Sequence, residues 1–189
     1  MKSLIIRKRI IKIATDLFYQ NGYNSTGINE IIEKSNIAKA TLYNHFSSKE
    51  VLCIAYLKNY NAFFLKSIIN YIQEDSVEEN KILRLFNFID FYFESDKFNG
   101  SATINLVSEL PKNNVKIRDE IKLQQNELFK VIKKAVNDTY ISNTERENKS
   151  FAEKVYLLFN AALVESHLQQ DKNAIVIAKE MCIELIKNR

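Results

Sequence analysis

Three observations predict an all-α fold of about nine helices. Glycine occurs three times and proline once in 189 residues, so residues that break helices are scarce. Ile, Leu, Lys, Glu and Asn make up much of the remainder. Apolar residues recur at the i, i+4, i+7 spacing of one helix face from the first twenty residues onward. The pattern divides into an N-terminal three-helix domain over residues 1–50 and a larger helical domain over 51–189.

The first helix is expected over Leu4–Asn21, with Ile6, Ile10, Ile13, Ala14, Leu17 and Phe18 on one face. Gly22 ends it as a left-handed cap, and Tyr23 packs back toward the core. Thr26 reads as the N-cap of the next helix, where its hydroxyl would bond a free amide beside a phosphate oxygen. Ile28, Ile31 and Ile32 give that helix its buried stripe. Ser35-Asn36 stops it, because Asn is the non-glycine residue best suited to the left-handed conformation.

A second short helix follows, with Ile37 and Leu42 inward and Lys39, Thr41, Tyr43, Asn44 and His45 pointing elsewhere. That outward set is basic, hydroxylic and amide-bearing, which suits phosphates and base edges in a major groove. Ser47-Ser48-Lys49-Glu50 reads as a capping box with Ser47 as N-cap, and Phe46 and Val51 form the matching hydrophobic staple. Helix, tight turn, helix and a firmly capped third helix is the arrangement of a helix-turn-helix.

Gly22-Tyr23, Thr26, Ile31, Lys39, Thr41-Leu42-Tyr43, Phe46 and Ser48-Lys49-Glu50 resemble, in order and spacing, the DNA-binding domain of TetR-family transcriptional regulators. The likeness spans about residues 5 to 55. It implies Lys39, Thr41 and Asn44 at or near base edges, with Ala40 an apolar contact for a thymine methyl. Tyr43, His45 and Lys49 are expected on phosphates, and Thr26 on the backbone. His45 alone would equally suit a neutral ring packed between helices. The chain departs from the family pattern at Ile32, Asn36, Ala38 and Ala40. Ala38 removes a side-chain cap typically worth ~1 kcal/mol from the reading helix. These departures bear on which bases are preferred, not on whether DNA is bound.

Charge supports the same end of the molecule. Residues 1–60 carry nine Lys or Arg against four Asp or Glu, and the remainder carries eighteen against nineteen. The positive excess therefore lies with the helix-turn-helix, where a polyanion would be engaged.

The larger domain begins with a long helix, Ser48 to about Glu74, ended by the polar segment Glu74-Asp75-Ser76. The next, about Val77 to Ser95, is apolar except for Arg84, Asn87 and Asp90 between Ile82 and Phe93. That three-residue strip either faces solvent or a partner, the favoured expectation because a charged Arg is rarely buried without a partner, or lines an internal cavity. A short helix, Ala102 to Leu110, stops before Pro111, and another runs from about Asn114 to Asn137. The final pair, Glu147–Gln169 and Asp171–Asn188, is apolar on more than one face, so the surplus calls for a second chain. The expected homodimer interface is Phe151, Val155, Leu158, Ala162, Ile175, Ala178, Met181, Cys182 and Leu185. By the resemblance, this domain also binds a small effector, and Phe63, Phe86, Phe93, Asn105, Glu109, Phe159 and Asn160 are the pocket candidates.

Other classes find little support. There is no phosphate-binding glycine loop, nucleophile elbow or zinc-binding helix motif. His45 and His167 offer little for acid–base catalysis, and Glu165 and His167 do not share a helix face. No enzyme activity, cofactor or metal is therefore expected. Cys53 and Cys182 are far apart and read as reduced core residues of a cytoplasmic protein. Arg7-Lys8-Arg9 interrupts any signal-peptide core, and the longest apolar run, Tyr156–Val164, is too short to span a membrane. The expectation is a dimeric repressor that binds a palindromic operator in double-stranded DNA and is released by an apolar or aromatic effector. A helical interaction protein that does not read DNA, and a small-molecule enzyme built on the larger domain, are the alternatives.

Overall fold

Helix boundaries fall where the chain supplies caps and left-handed residues. The computed structural model describes residues 2–74, 80–95 and 98–188. Its helices are α1 (Lys2–Asn21), α2 (Ile28–Lys34), α3 (Lys39–His45), α4 (Lys49–Ile72), α5 (Lys81–Phe93), α6 (Ala102–Glu109), α7 (Val115–Thr139), α8 (Glu145–Gln169) and α9 (Asn173–Lys187). Among the described residues there are nine helices and no strand, the all-α class expected. The expected helix start at Val77 and the segment Asp75-Ser76 lie outside the described residues.

Two compact units emerge from the packing. One holds the residues through Phe63 with Ala102–Gln124, and the other Phe64–Ser101 with the residues from Gln125 on. Helices α4 and α7 contribute residues to both.

In the first unit, Ile10, Ala14, Leu17 and Phe18 of α1 pack with Ile31 of α2, Leu42 of α3 and Leu52, Tyr56 and Leu57 of α4. Leu106 of α6 and Ile117 and Ile121 of α7 close the same core. Gly22 has φ +88° and its N–H donates to the Phe18 carbonyl at 3.2 Å, the single-bond left-handed cap expected. The α2 terminus is a Schellman motif. Asn36 has φ +48°, its N–H donates to Glu33 O at 2.9 Å, and Ile37 N–H donates to Ile32 O at 3.4 Å. So the turn between α2 and α3 is built around Asn36, as the sequence led one to expect.

The second unit is organised on α5, where Ile82, Leu85, Phe86, Phe88 and Ile89 are buried. Asn80 caps it, its side chain accepting the Ile82 N–H at 2.9 Å. In the Arg84–Asn87–Asp90 strip, Arg84 corrects the expectation of an outward face, while Asn87 and Asp90 remain partly exposed. Arg84 is 4 % exposed and donates to the backbone carbonyls of Glu74, at 2.5 Å, and Tyr71 at the end of α4. Asn87 accepts from Lys179 of α9 at 2.5 Å, and Asp90 pairs with Lys172 at 2.9 Å. A buried guanidinium is tolerable because the last turn of α4 leaves carbonyls without helical partners. The strip is a polar seam joining α5 to α4 and α9.

Helix α8 opens with a capping box the sequence reading passed over. Thr144 Oγ1 accepts from Glu147 N–H at 3.3 Å, and the Glu147 carboxylate accepts the Thr144 N–H at 2.9 Å. Phe86 and Phe159, both fully buried, have ring centres 6.5 Å apart across α5 and α8. Gly100, at φ +66°, runs so close to α8 that a Cβ there would stand 2.9 Å from His167 Cβ.

Candidate nucleic-acid interface

A seven-residue helix with one inward anchor leaves most of its girdle outside. In α3, Leu42 is fully buried, while Lys39, Ala40, Tyr43 and Asn44 are exposed and Thr41 and His45 half-buried. At ~100° per residue, the four exposed residues cover one continuous face, with Thr41 and His45 on the flank nearer the core. The face carries an ammonium, a methyl, a phenol and an amide. Tyr43, 42 % exposed, is a large side chain held in solvent. Ala38 stands at the N-cap with φ −73° and ψ 148° and no side-chain cap, as its substitution for Ser or Thr implied.

Thr26 is placed differently from the expectation. It is fully buried, and its hydroxyl is directed at Gly22 O, 2.7 Å, and Leu17 O, 3.3 Å. The N-cap of α2 is Gly27, which makes no side-chain cap bond. Threonine carries a methyl that packs and a hydroxyl that satisfies the carbonyls at the α1 terminus, so it folds inward. Its side chain is thereby committed to the α1–α2 corner.

The start of α4 is shifted by one residue from the predicted capping box. Ser48 is the cap, its Oγ accepting the Val51 N–H at 3.2 Å, and Glu50 instead pairs with Lys116 at 3.4 Å. Phe46 is buried while Val51 is 38 % exposed, and with Ser48 as the cap the two no longer stand at the staple positions. Serine at both 47 and 48 left this register open to a one-residue error.

Lys49, expected on phosphate, lies with its Nζ 4.4 Å above the Tyr23 ring centre and 6.0 Å from that of Phe18. Burial lowers its pKa, opposed by the negative potential of the Cys53 thiolate form and Glu109. The Tyr23 phenol is pushed up to about 12, first by burial and then by Cys53 and Glu50. Under this layer Cys53 is fully buried, its thiol also pushed up to about 12 by burial.

What sequence reasoning missed here is the role of Glu109. Its Oε1 accepts the Tyr23 N–H at 3.1 Å, its Oε2 accepts the Asn24 N–H at 2.7 Å, and its carbonyl accepts from Asn24 Nδ2 at 2.9 Å. Given as a pocket candidate, it is instead engaged on the loop that leads into α2. Only the separation of 85 residues hid it.

The remaining pocket candidates are divided between the two units. Phe63 is 63 % exposed and, with Asn105 and Glu109, belongs to the first unit. Phe86, Phe93, Phe159 and Asn160 belong to the second. There Phe86 and Phe159 pack in the core, Phe93 meets Phe98 at 5.0 Å, and Asn160 Nδ2 donates to Tyr156 O at 3.0 Å.

Of the expected interface, Phe151, Val155, Ala162, Ile175, Ala178 and Cys182 are buried in the chain's own core. Of these six, Ala162 and Ala178, though buried, also border the groove that Leu158 and Met181 line. Leu158, Met181 and Leu185 do line open grooves. One groove, about 460 Å³, is bordered by Leu158, Ala161, Glu165, Ile177 and Met181. An adjoining one, about 370 Å³, is bordered by Leu157, Leu158, Met181 and Leu185. Leu157, Val176, Ile177 and Met181 are each roughly half exposed or more. No described helix is long and apolar enough to cross a membrane.

With this geometry in view, comparison with known proteins is informative. The family model described as bacterial regulatory proteins, tetR family, matches residues 10–56, which contain most of α1, all of α2 and α3, and the start of α4. The HTH-type transcriptional regulator QacR of Staphylococcus aureus is 40% identical over 52 residues, 28% of each chain. Likeness over greater length is found with the biofilm operon icaADBC HTH-type negative transcriptional regulator IcaR of the same species. It is 24% identical over 186 residues, 84% of this chain and 99% of that one. In fold, a TetR transcriptional regulator from Chloroflexus aurantiacus superposes with a TM-score of 0.83 at 20% identity, over 100% of this chain and 97% of the other.

Proposed function

We propose that this chain, which belongs to the TetR family of DNA-binding transcriptional regulators, is a repressor that binds a palindromic duplex site as a homodimer and lets go when a small apolar or aromatic effector binds. The observation that carries the reading is the open face of α3. Lys39, Ala40, Tyr43 and Asn44 stand in solvent around a single buried anchor, Leu42, at the end of the chain that holds the positive excess. Asn44 and Lys39 supply base-edge hydrogen bonds, Ala40 a methyl contact, and Tyr43 with His45 the phosphate contacts that fix register. Thr26 and Lys49 act from beneath, holding the corner from which α3 is presented.

Homodimerisation is supported by the apolar grooves on α8 and α9, for which a second copy of the same face is the simplest cover. Two reading helices related by a twofold axis then meet half-sites one helical turn apart. Repression is supported by the likeness to IcaR over 84% of this chain, that protein being described as a negative regulator. Effector release would be a coupling between the helical domain and the reading heads, changing their spacing.

The test begins by selecting duplexes from a random pool with the full-length protein and measuring affinity for the winner at several salt concentrations. Tyr43→Ala should weaken binding uniformly across sequences, and Lys39→Ala should also flatten the salt dependence or relax base preference at one position. Equal affinity for selected and scrambled duplexes would sink the reading and favour the interaction-protein alternative.

A further inference from the structure

The loop between α1 and α2 is held by a device that neither helix supplies. Gly22 turns the chain through φ +88°, and the next two N–H groups, of Tyr23 and Asn24, point the same way. Successive amides after a left-handed residue form a concave anion site. Here its occupant is the Glu109 carboxylate, one oxygen on each amide at 3.1 and 2.7 Å. Asn24 returns a bond to the Glu109 carbonyl at 2.9 Å. The fit is tight at position 22, where a Cβ would lie 3.0 Å from Glu109 Oε1 on a backbone whose positive φ already disfavours a side chain.

Glu109 is itself fixed. It closes α6, and Arg118 of α7 donates to the carbonyls of Leu110 at 2.8 Å and Pro111 at 3.2 Å just beyond it. On the other side, the Tyr23 ring carries Lys49, the first residue of α4, at 4.4 Å. From the other flank of the same loop, the Thr26 hydroxyl holds Gly22 O. One carboxylate thus ties the α6 terminus to the corner that sets how α2 and α3 leave α1. Charge-assisted bonds of this kind are shorter and stronger than neutral ones.

We infer that Glu109 is a positioning residue for duplex recognition: it touches no DNA, and it fixes the α1–α2 corner so that the open face of α3 is presented at the angle a half-site needs. The inference rests on the reading of α3 as the DNA-reading helix. Its sign separates it from plain electrostatics. Removing a negative charge from a DNA-binding domain should tighten binding to any duplex. Loss of the clamp should weaken binding to the selected duplex.

The experiment compares wild type, Glu109→Gln and Asn24→Ala on the selected duplex and on a scrambled duplex of equal length, at one salt concentration. Helix content and thermal midpoint are followed alongside. Glu109→Gln should lose about tenfold in affinity for the selected duplex and none for the scrambled one. Asn24→Ala, which spares both carboxylate bonds, should lose less. Hydrogen exchange of the wild-type Tyr23 and Asn24 amides gives a check independent of any variant's folding: these amides should be protected as in a helix interior. Unprotected amides, or undiminished preference of folded Glu109→Gln for the selected duplex, overturn the inference. Should wild type itself distinguish no duplex, the reading of α3 fails, and the inference with it.

Discussion

Lys49 Nζ stands 4.4 Å above the ring of Tyr23, and the amide of that same tyrosine is held by Glu109. A lysine that the family resemblance assigns to phosphate is thus also the lid of an aromatic layer at the start of α4. A cation over an aromatic face contributes ~1 kcal/mol when partly desolvated. Lys49→Ala should therefore lower the stability of the folded chain by about that amount, and Lys49→Arg should restore most of it, since a guanidinium also stacks on rings. Denaturant midpoints at constant slope would show this; an unchanged midpoint for Lys49→Ala would refute it.

The turn of the helix-turn-helix depends on a non-glycine residue at φ +48°. Asn36→Ala should cost about 1 kcal/mol, because a Cβ without a local polar group tolerates this conformation poorly. Asn36→Gly should be neutral or slightly stabilising. The comparison is a pair of thermal melts, and equal midpoints for the two variants would count against the assignment.

Arg84 ends on the carbonyls of Tyr71 and Glu74, inside the second unit. Arg84→Ala should cost about 3 kcal/mol, since it removes the partner of part-buried acceptors and opens a void where the guanidinium was buried. Arg84→Lys should recover little, because one ammonium cannot reproduce a fork onto two carbonyls. Urea unfolding followed by circular dichroism measures both. Recovery by lysine to wild-type stability would contradict the account.

Cys53 and Cys182 are both buried, with thiols raised from 9.0 to about 12 by loss of water. Groups whose folded pKa exceeds the unfolded one hold protons that the unfolded chain has released. Their contribution is complete below the unfolded value near 9 and is lost as pH climbs toward 12. Stability should therefore decline from about pH 9 upward, with Tyr23 adding to the decline between 10.0 and about 12. At pH 8 a disulfide reagent should label neither thiol until denaturant is added. Rapid labelling of the native protein would be inconsistent with this burial.

Met181 is 49 % exposed and borders both open grooves on α8 and α9. In the proposed dimer, Met181→Glu would place a carboxylate in the middle of an apolar contact and leave the monomer intact. Sedimentation should report half the wild-type mass, with helix content unchanged. A dimer that survives this substitution would place the contact elsewhere.

What the sequence disclosed, and what it withheld, follows the range of the interactions. Gly22 and Asn36 were legible because a left-handed residue after a helical pattern is a local signal, and both have positive φ. Leu42 inward with Tyr43 outward followed from periodicity alone. The α4 cap was displaced by one residue because Ser47 and Ser48 are equivalent letters, and only the Val51 amide chooses between them. Thr26 turned inward because the carbonyls of Leu17 and Gly22 lie within reach, which no count of spacing reveals. The Arg84 seam and the Glu109 clamp are nonlocal, so composition could mark those residues as unusual without naming their partners. In α8 and α9 a stripe on either face looked equally apolar, and burial alone distinguishes Ala178 and Cys182 from Ile177 and Met181.

Gly100 and Gly27 make the point from the other direction. At Gly100 a single added carbon would meet His167 at 2.9 Å on a backbone already at φ +66°, whereas at Gly27 nothing lies within 4 Å. The same letter therefore occupies a locked door at one site and an open one at the other. A saturation library should tolerate broad replacement of Gly27, while at Gly100 few replacements should survive, because the positive φ strains a side chain even where His167 is made smaller.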